Sequence, residues 1–195
     1  MKHPLEDIEI PKVIATNRLE LRLLNFEMAA DFNSSIHASL AEFNPWFDWM
    51  HPTPPTLKET QEHALVNIKE QLNKEAFHFG MYLKGTNTMV GRISLDKDDP
   101  NIPAFNIGYW THSAHVGNGY MTEALFEICD FSINHLKSRR VDIYHDSENL
   151  ASKALIQKIV QKFGFEKLAV LKNKHRRKGD GSLRHDVYYS FTQGD

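Results

Sequence analysis

The chain lacks most of the features that announce a function by composition. It has one cysteine, Cys129, among 195 residues, so no disulfide can close within it and a cysteine-based metal site is not expected. The context Phe126-Glu127-Ile128-Cys129-Asp130 reads as helix interior, which predicts a buried, inert thiol. Charge of one sign is not in excess: the formal net charge is -2. Neither nucleic acid nor an anionic membrane is therefore expected as a partner. No apolar run approaches the length of a membrane span. The opening Met1-Lys2-His3-Pro4-Leu5-Glu6-Asp7 has no apolar stretch of the signal-peptide kind, so a cytoplasmic protein is expected. Internal repeats and low-complexity tracts are also missing.

What is present fits one α/β domain. The hydrophobic fraction is 41%, ordinary for a soluble globular chain of single-domain length. Residues 1–12 read as a flexible N-terminal arm and 13–195 as the domain. Leu19, Leu21 and Leu23 alternate with Arg18, Glu20 and Arg22, the period of a half-buried strand. A helical pattern follows from Phe26 to Leu40. The segment from Asn44 to Pro55 has four prolines and the aromatics Trp46, Phe47 and Trp49, so it predicts irregular structure. Thr56 with Glu59 forms a capping box for a helix reaching about Asn73. Strands are expected over 77–83, 89–95 and 105–110, a helix from about 117 to 135, and a strand over 141–144. A helix over 149–162, a strand over 166–171 and a last strand over 184–191 complete the order. The stretch from Lys172 to Gly181 reads as a basic turn, a solvated hairpin tip. Antiparallel hairpins around one strand–helix–strand crossover imply a mixed sheet, with that crossover right-handed.

The residues richest in chemistry follow the strand that ends at Trp110. Gly117 and Gly119 flank Asn118, and helical periodicity starts at once with Tyr120, Met121, Ala124, Leu125 and Ile128. Glycines allow a sharp turn and close approach of backbone to a ligand. The free N–H groups of a helix's first turn favour an anion, and a diphosphate is the natural occupant. A Gly-x-Gly alone is equally a tight turn and nothing more. A dinucleotide fold is disfavoured, because Thr122 stands where a third glycine is required. A phosphate loop with Lys and Ser/Thr is absent.

The runs Asn106-Ile107-Gly108-Tyr109-Trp110 and Gly117-Asn118-Gly119-Tyr120-Met121-Thr122-Glu123-Ala124-Leu125 resemble the core of the GNAT acetyltransferase superfamily. Glu148-Asn149-Leu150-Ala151-Ser152 and Lys162-Phe163-Gly164-Phe165 resemble its second half. The Trp-rich segment near Trp46 and the closing strand from His185 to Ser190 are similar to the ribosomal-protein N-terminal acetyltransferase branch. The resemblance covers about Thr16 to Thr192. It implies a single-domain α/β fold whose mixed, mostly antiparallel sheet is splayed at its central strands, with helices on both faces.

By this resemblance acetyl-CoA is the cosubstrate and no metal is needed. Its diphosphate would lie on the amides of Val116, Gly117, Asn118, Gly119, Tyr120 and Met121. Its pantetheine arm would follow the strand at Trp110, whose neighbourhood supplies a backbone oxyanion donor, and Asn149 would bind the arm's amides. Ser152 would be the acid for the departing thiolate; the plainer alternative is that Asn149 caps a helix of which Ser152 is an ordinary first-turn residue. Relatives often carry Gln or Arg where Ala114 and Val116 stand here, so phosphate binding is expected to rest on backbone donors. Many place Glu where Asn106 stands, so the base is open among His78, His145, Glu148 and water. Phe43, Trp46, Phe47, Trp49 and His51 are candidates either for an acceptor pocket or for core. The partner implied is a primary amine, a protein or peptide N-terminus ahead of a polyamine, amino sugar or drug-like amine. A non-catalytic acyl-CoA sensor is the alternative from another class, and a homodimer is left open.

Overall fold

The computed structural model describes residues 5–47, 53–97, 99, 101–177 and 180–194. Eight strands form one sheet in the order β1-β2-β3-β4-β5-β6-β8-β7. In chain order they are β1 (Val13–Ala15), β2 (Leu19–Leu23), β3 (Ala76–Leu83), β4 (Met89–Asp96), β5 (Ala104–Thr111), β6 (Arg140–Asp146), β7 (Glu166–Arg176) and β8 (Leu183–Thr192). Every neighbouring pair is antiparallel except β5 and β6. The helices are α1 (Ala29–Phe43), α2 (Leu57–Leu72), α3 (Tyr120–Asp130) and α4 (Leu150–Phe163). The mixed sheet with helices on both faces is the architecture expected from the sequence.

Two periodicities build the main core. Leu19 and Leu21, Phe77, Phe79 and Met81, Ile93 and Leu95, Phe105 and Ile107, and Val141 and Ile143 alternate along their strands onto one face. Met121, Ala124, Leu125, Ile128 and Cys129 of α3, with Ile156 and Ile159 of α4, pack onto them at helical spacing. Cys129 is buried there, and burial pushes its thiol up to about 12, so it stays protonated. On the opposite face a smaller cluster joins Phe32 and Phe43 of α1 to Tyr82, Met89 and Trp110. The Thr56–Glu59 capping box starts α2 as its sequence requires.

Two segments differ from the sequence reading. Residues 5–12 lie along the domain: Leu5 is fully buried in the main core, and the Lys74 ammonium donates to the carbonyls of Leu5, Glu6 and Ile8 at 2.6, 3.0 and 2.9 Å. Leu5, Ile8 and Ile10 pack on that core, but three apolar residues among acidic ones in so short a segment show no clear period, and captured carbonyls leave no mark in a sequence. The basic stretch after Leu171 is not all turn, because β7 continues to Arg176. This strand lies at the sheet edge and is exposed along nearly its whole length. Its polar residues carry no alternation, and its register slips between Leu171 and His175, where Asn173 takes a left-handed φ of 57.

Candidate active site

The site begins where the two parallel strands part. β5 and β6 pair only at Ala104↔Arg140, Phe105↔Val141 and Asn106↔Asp142, although β5 runs on to Thr111 and β6 to Asp146. On its other side β5 stays paired with β4, Trp110 opposite Arg92. His112 N–H donates to Val90 C=O in the continuation of that ladder. By alternation, Trp110 and Gly108 also give their backbone groups to β4, while Tyr109 and Thr111 turn theirs toward the opening. The Trp110 ring is packed between Phe32 and Phe43, with centroids at 6.1 and 5.2 Å. The open edge expected near Trp110 is thus presented by its two neighbours, and sequence alone could not settle that parity.

Beyond β5 the chain makes a short helical turn and enters α3 through Gly117 and Gly119, whose φ values are 84 and 77. These are left-handed conformations that residues with a Cβ avoid. Gly119 is the N-cap of α3 and no side chain caps that end, so the first-turn N–H groups remain donors. Val116, Asn118 and Gly119 are exposed at this turn; Met121 gives its side chain to the core, leaving only its backbone for a ligand. Arg18 comes from a hundred residues away to the same turn. Its guanidinium donates to Asn118 C=O at 3.0 Å and lies over the Tyr120 ring at 4.8 Å. Glu123, in the first turn of α3, accepts from Thr16 Oγ1 at 2.6 Å and from Arg18 N and Nε at 2.7 Å each. Burial alone would raise the Glu123 carboxyl, but these donors and the Arg18 charge hold it below its usual range. Sequence reasoning missed this brace, because nothing local to Gly117–Gly119 points to Arg18.

Across the opening stands the start of α4. Asn149 is its N-cap, and its side-chain oxygen accepts from Ser152 N–H at 3.0 Å. Ser152 Oγ lies 2.5 Å from Tyr109 Oη. The capping role weighed from the sequence is therefore real, and it leaves the Asn149 amide N–H groups and the Ser152 hydroxyl for other partners. Burial pushes the Tyr109 phenol up to about 12, with the Ser152 hydrogen bond pulling the other way. The phenol is neutral at ordinary pH.

The opposite face of the parting strands holds a cavity of about 480 Å³ lined by Asn106, Asp142, Tyr144, Asp146, Asp186 and Tyr188, with Trp46, Phe47, Lys174 and His175 around it. Phe43, named with these aromatics, belongs to the smaller core cluster instead. Trp49, His51 and Lys178 lie outside the described residues. Asp146 is fixed by the fully buried Arg184: Arg184 Nε donates to Oδ2 at 2.8 Å, and Nη2 donates to Oδ1. Asp146 Oδ1 also accepts from Glu148 N–H at 2.8 Å. Burial would raise the Asp146 carboxyl, but Arg184, the Glu148 N–H and the His175 charge together hold it low. The β6–α4 corner that carries Asn149 and Ser152 is thereby tied to β8.

Of three side chains that could serve as a base, His78 and Glu148 have their acceptors engaged, while His145 Nε2 is buried with no hydrogen-bond partner. His78 is 3% exposed; Arg92 Nη2 donates to its Nδ1 at 2.6 Å, so Nε2–H donates to Glu70 Oε2 at 3.0 Å. Burial, then the Arg92 charge, lowers it to about 3. It is neutral with both nitrogens engaged. His145 donates from Nδ1 to Asp146 C=O at 2.7 Å and stacks on Tyr189. Glu148 pairs with Arg177 at 2.9 Å and with Arg184.

Against known proteins, the family model described as the acetyltransferase (GNAT) domain matches residues 18–165. The chain belongs to the GNAT acetyltransferase family. The Bacillus subtilis protein named "Probable N-acetyltransferase YjcK" is 26% identical over 152 residues, covering 77% of this chain and 82% of that protein. The structure of RimL, a ribosomal L7/L12 alpha-N-protein acetyltransferase in complex with coenzyme A, superposes with a TM-score of 0.82 at 22% identity, over 92% of this chain and 97% of that one. The microcin C7 self-immunity acetyltransferase MccE, in complex with acetyl-CoA and AMP, gives 0.79 at 18% identity, over 94% and 98%. At such identities these two structures speak for the GNAT fold. As a GNAT chain it is an acetyl-CoA-dependent acetyltransferase. Among the described residues no group of three or more His, Cys, Asp or Glu could hold a metal ion, and no helix is long and apolar enough to cross a membrane.

Proposed function

We propose that this GNAT enzyme transfers the acetyl group of acetyl-CoA to a primary amine, with a protein or peptide N-terminus as the acceptor. The observation that carries the reading is the parting of β5 and β6, with the uncapped glycine turn and the Tyr109–Ser152 pair on one side and the acid-lined cavity on the other. Two reactants can approach one point from opposite faces of the sheet, which is what direct transfer in a ternary complex needs.

The residues present fit the donor. The uncapped start of α3 offers the backbone amides from Val116 to Met121 to a diphosphate. Arg18 adds positive charge, largely shared with Glu123. The open backbone groups of Tyr109 and Thr111 suit an amide-bearing arm, and one of their N–H groups would face the developing oxyanion. Asn149 would add its amide N–H donors. Acetyl-CoA supplies the thioester: the bound ammonium gives one proton to water, its nitrogen bonds to the acetyl carbon, and the C–S bond breaks with its electron pair on sulfur. The nitrogen then releases a second proton to solvent, which makes good the proton that Ser152 gives to the sulfur. With the phenol, the more acidic hydroxyl of the pair, as donor to Ser152 Oγ, the Ser152 proton is directed elsewhere. Ser152 can then protonate the leaving thiolate. The N-terminal acceptor is supported by the aromatic wall of Trp46 and Phe47, by Lys174 as a donor for peptide carbonyls, and by the likeness to RimL.

The test is thiol release from acetyl-CoA with a panel of pentapeptides bearing free N-termini, and with spermidine, glucosamine and tyramine. Turnover of peptides is expected. Release with the small amines alone would overturn the N-terminal reading.

A further inference from the structure

We infer that Asn106 and Asp142 together form the seat for the acceptor's ammonium group, Asp142 selecting a cation and Asn106 supplying a neutral second acceptor. The inference rests on the acetyltransferase reading of the cleft and names the residues that make the amine side of it. Asn106 and Asp142 are Cα partners and the last paired residues before β5 and β6 separate. They stand at the apex of the opening. Their neighbours Phe105 and Val141 face the main core, so by alternation Asn106 and Asp142 face the cavity, which both of them line.

Each carries a buried oxygen without a hydrogen-bond partner, Asn106 Oδ1 and Asp142 Oδ1. Folded proteins leave few such acceptors unsatisfied. Two of them side by side on one cavity call for a donor from outside the chain. Asp142 is already held in place, because Arg140 Nε donates to its Oδ2 at 2.8 Å. Of the other carboxylates on the cavity, Asp146 is committed to Arg184, and Asp186 lies 3.7 Å from His175 Nδ1. A primary ammonium brings three N–H donors and a positive charge, which matches one anionic and one neutral oxygen. A hydroxyl brings one donor, and a carboxylate would be repelled. The Tyr144 and Tyr188 rings, stacked at 4.9 Å, provide an apolar wall beside the seat.

The same geometry explains why position 106 is an amide. Asn106 lies directly between Asp96 on β4 and Asp142 on β6 in the register of the sheet. A carboxylate there would face a like charge on each side.

The experiment compares wild type with Asp142→Asn, using calorimetry in the presence of CoA and thiol release with acetyl-CoA. The probes are tyramine, spermidine, and pentapeptides beginning in Ser, Ala or Met, each also in N-acetylated form. Wild type should bind at least one free amine about tenfold or more tightly than its acetylated form. Asp142→Asn should abolish that preference and raise the amine KM at least tenfold, with the acetyl-CoA KM unchanged. If Asp142→Asn does not fold, Asp142→Ser and Asn106→Ala must show the same loss. A variant that keeps the preference, or a wild type with none for any probe, overturns the seat. Thiol release by wild type with a preference indifferent to Asp142 sinks the seat and leaves the acetyltransferase reading. Ammonium-selective binding that depends on Asp142, with no thiol release, does the reverse.

Discussion

Tyr109 Oη and Ser152 Oγ lie 2.5 Å apart and join β5 to the first turn of α4 across the gap where the sheet has opened. The pair couples a phenol pushed up to about 12 to a serine whose backbone N–H is taken by Asn149. Replacing Ser152 by Ala should lower kcat by about a hundredfold, in the range of a positioned proton donor, with little change in the acetyl-CoA KM. Tyr109→Phe should lower it less, because the serine proton survives. Steady-state kinetics of both variants decide this, and an unchanged kcat in Ser152→Ala would leave that residue as a cap-turn serine.

The glycine turn offers a test of cofactor binding. A Cβ at Gly117 would meet no atom within 4 Å, so Gly117→Ala changes only the backbone, held at a φ of 84. The left-handed conformation should cost about 1–2 kcal/mol, and relaxation of the turn should raise the acetyl-CoA KM several-fold. The amine KM should be unaffected. Equal acetyl-CoA KM values in a folded variant would move the diphosphate elsewhere.

Among the described residues Arg184 is the largest fully buried side chain, and its partner Asp146 is 5% exposed. Arg184→Met leaves that carboxylate buried without its partner, which should cost about 3–5 kcal/mol. Urea denaturation measures it. Because the pair anchors the corner that carries Ser152, kcat should fall together with stability. A variant as stable as wild type would show the pair to be dispensable.

His78 makes a pH signature. Its pKa in the fold is lowered from 6.5 to about 3. Between those values the unfolded chain binds a proton that the native state refuses, so stability falls as pH drops from about 6.5 toward 3. His78→Gln removes this contribution. Its unfolding free energy should decline less steeply than that of wild type between pH 7 and pH 4.5. Parallel curves would mean that His78 is protonated in the native state.

Much of this was legible in the sequence, for reasons that can be named. Leu19, Leu21 and Leu23, or Met121, Ala124, Leu125 and Ile128, show their period because burial on one face imposes it. Thr56 and Glu59 announce a helix start because the capping box is contained in four residues. Residues 172–176 carry no strand signal in the sequence, because an edge strand exposed along its length has no pattern to impose. Trp46, Phe47 and Phe43 are all visible as large aromatics, but only packing shows that Phe43 is core and that Phe47 bridges from it to the cavity.

The sequence by itself determined the class of fold, the order of the elements and the glycine turn that opens α3. These follow from periodicity, caps and turn chemistry, which act over a few residues. The tertiary structure decided which backbone groups of β5 face the opening, that Arg18 reaches Asn118 and Glu123, that Arg184 fixes Asp146, and that Asn106 and Asp142 meet at its apex. Each of these depends on strand register and on residues distant along the chain meeting in space, and no local pattern encodes such a meeting.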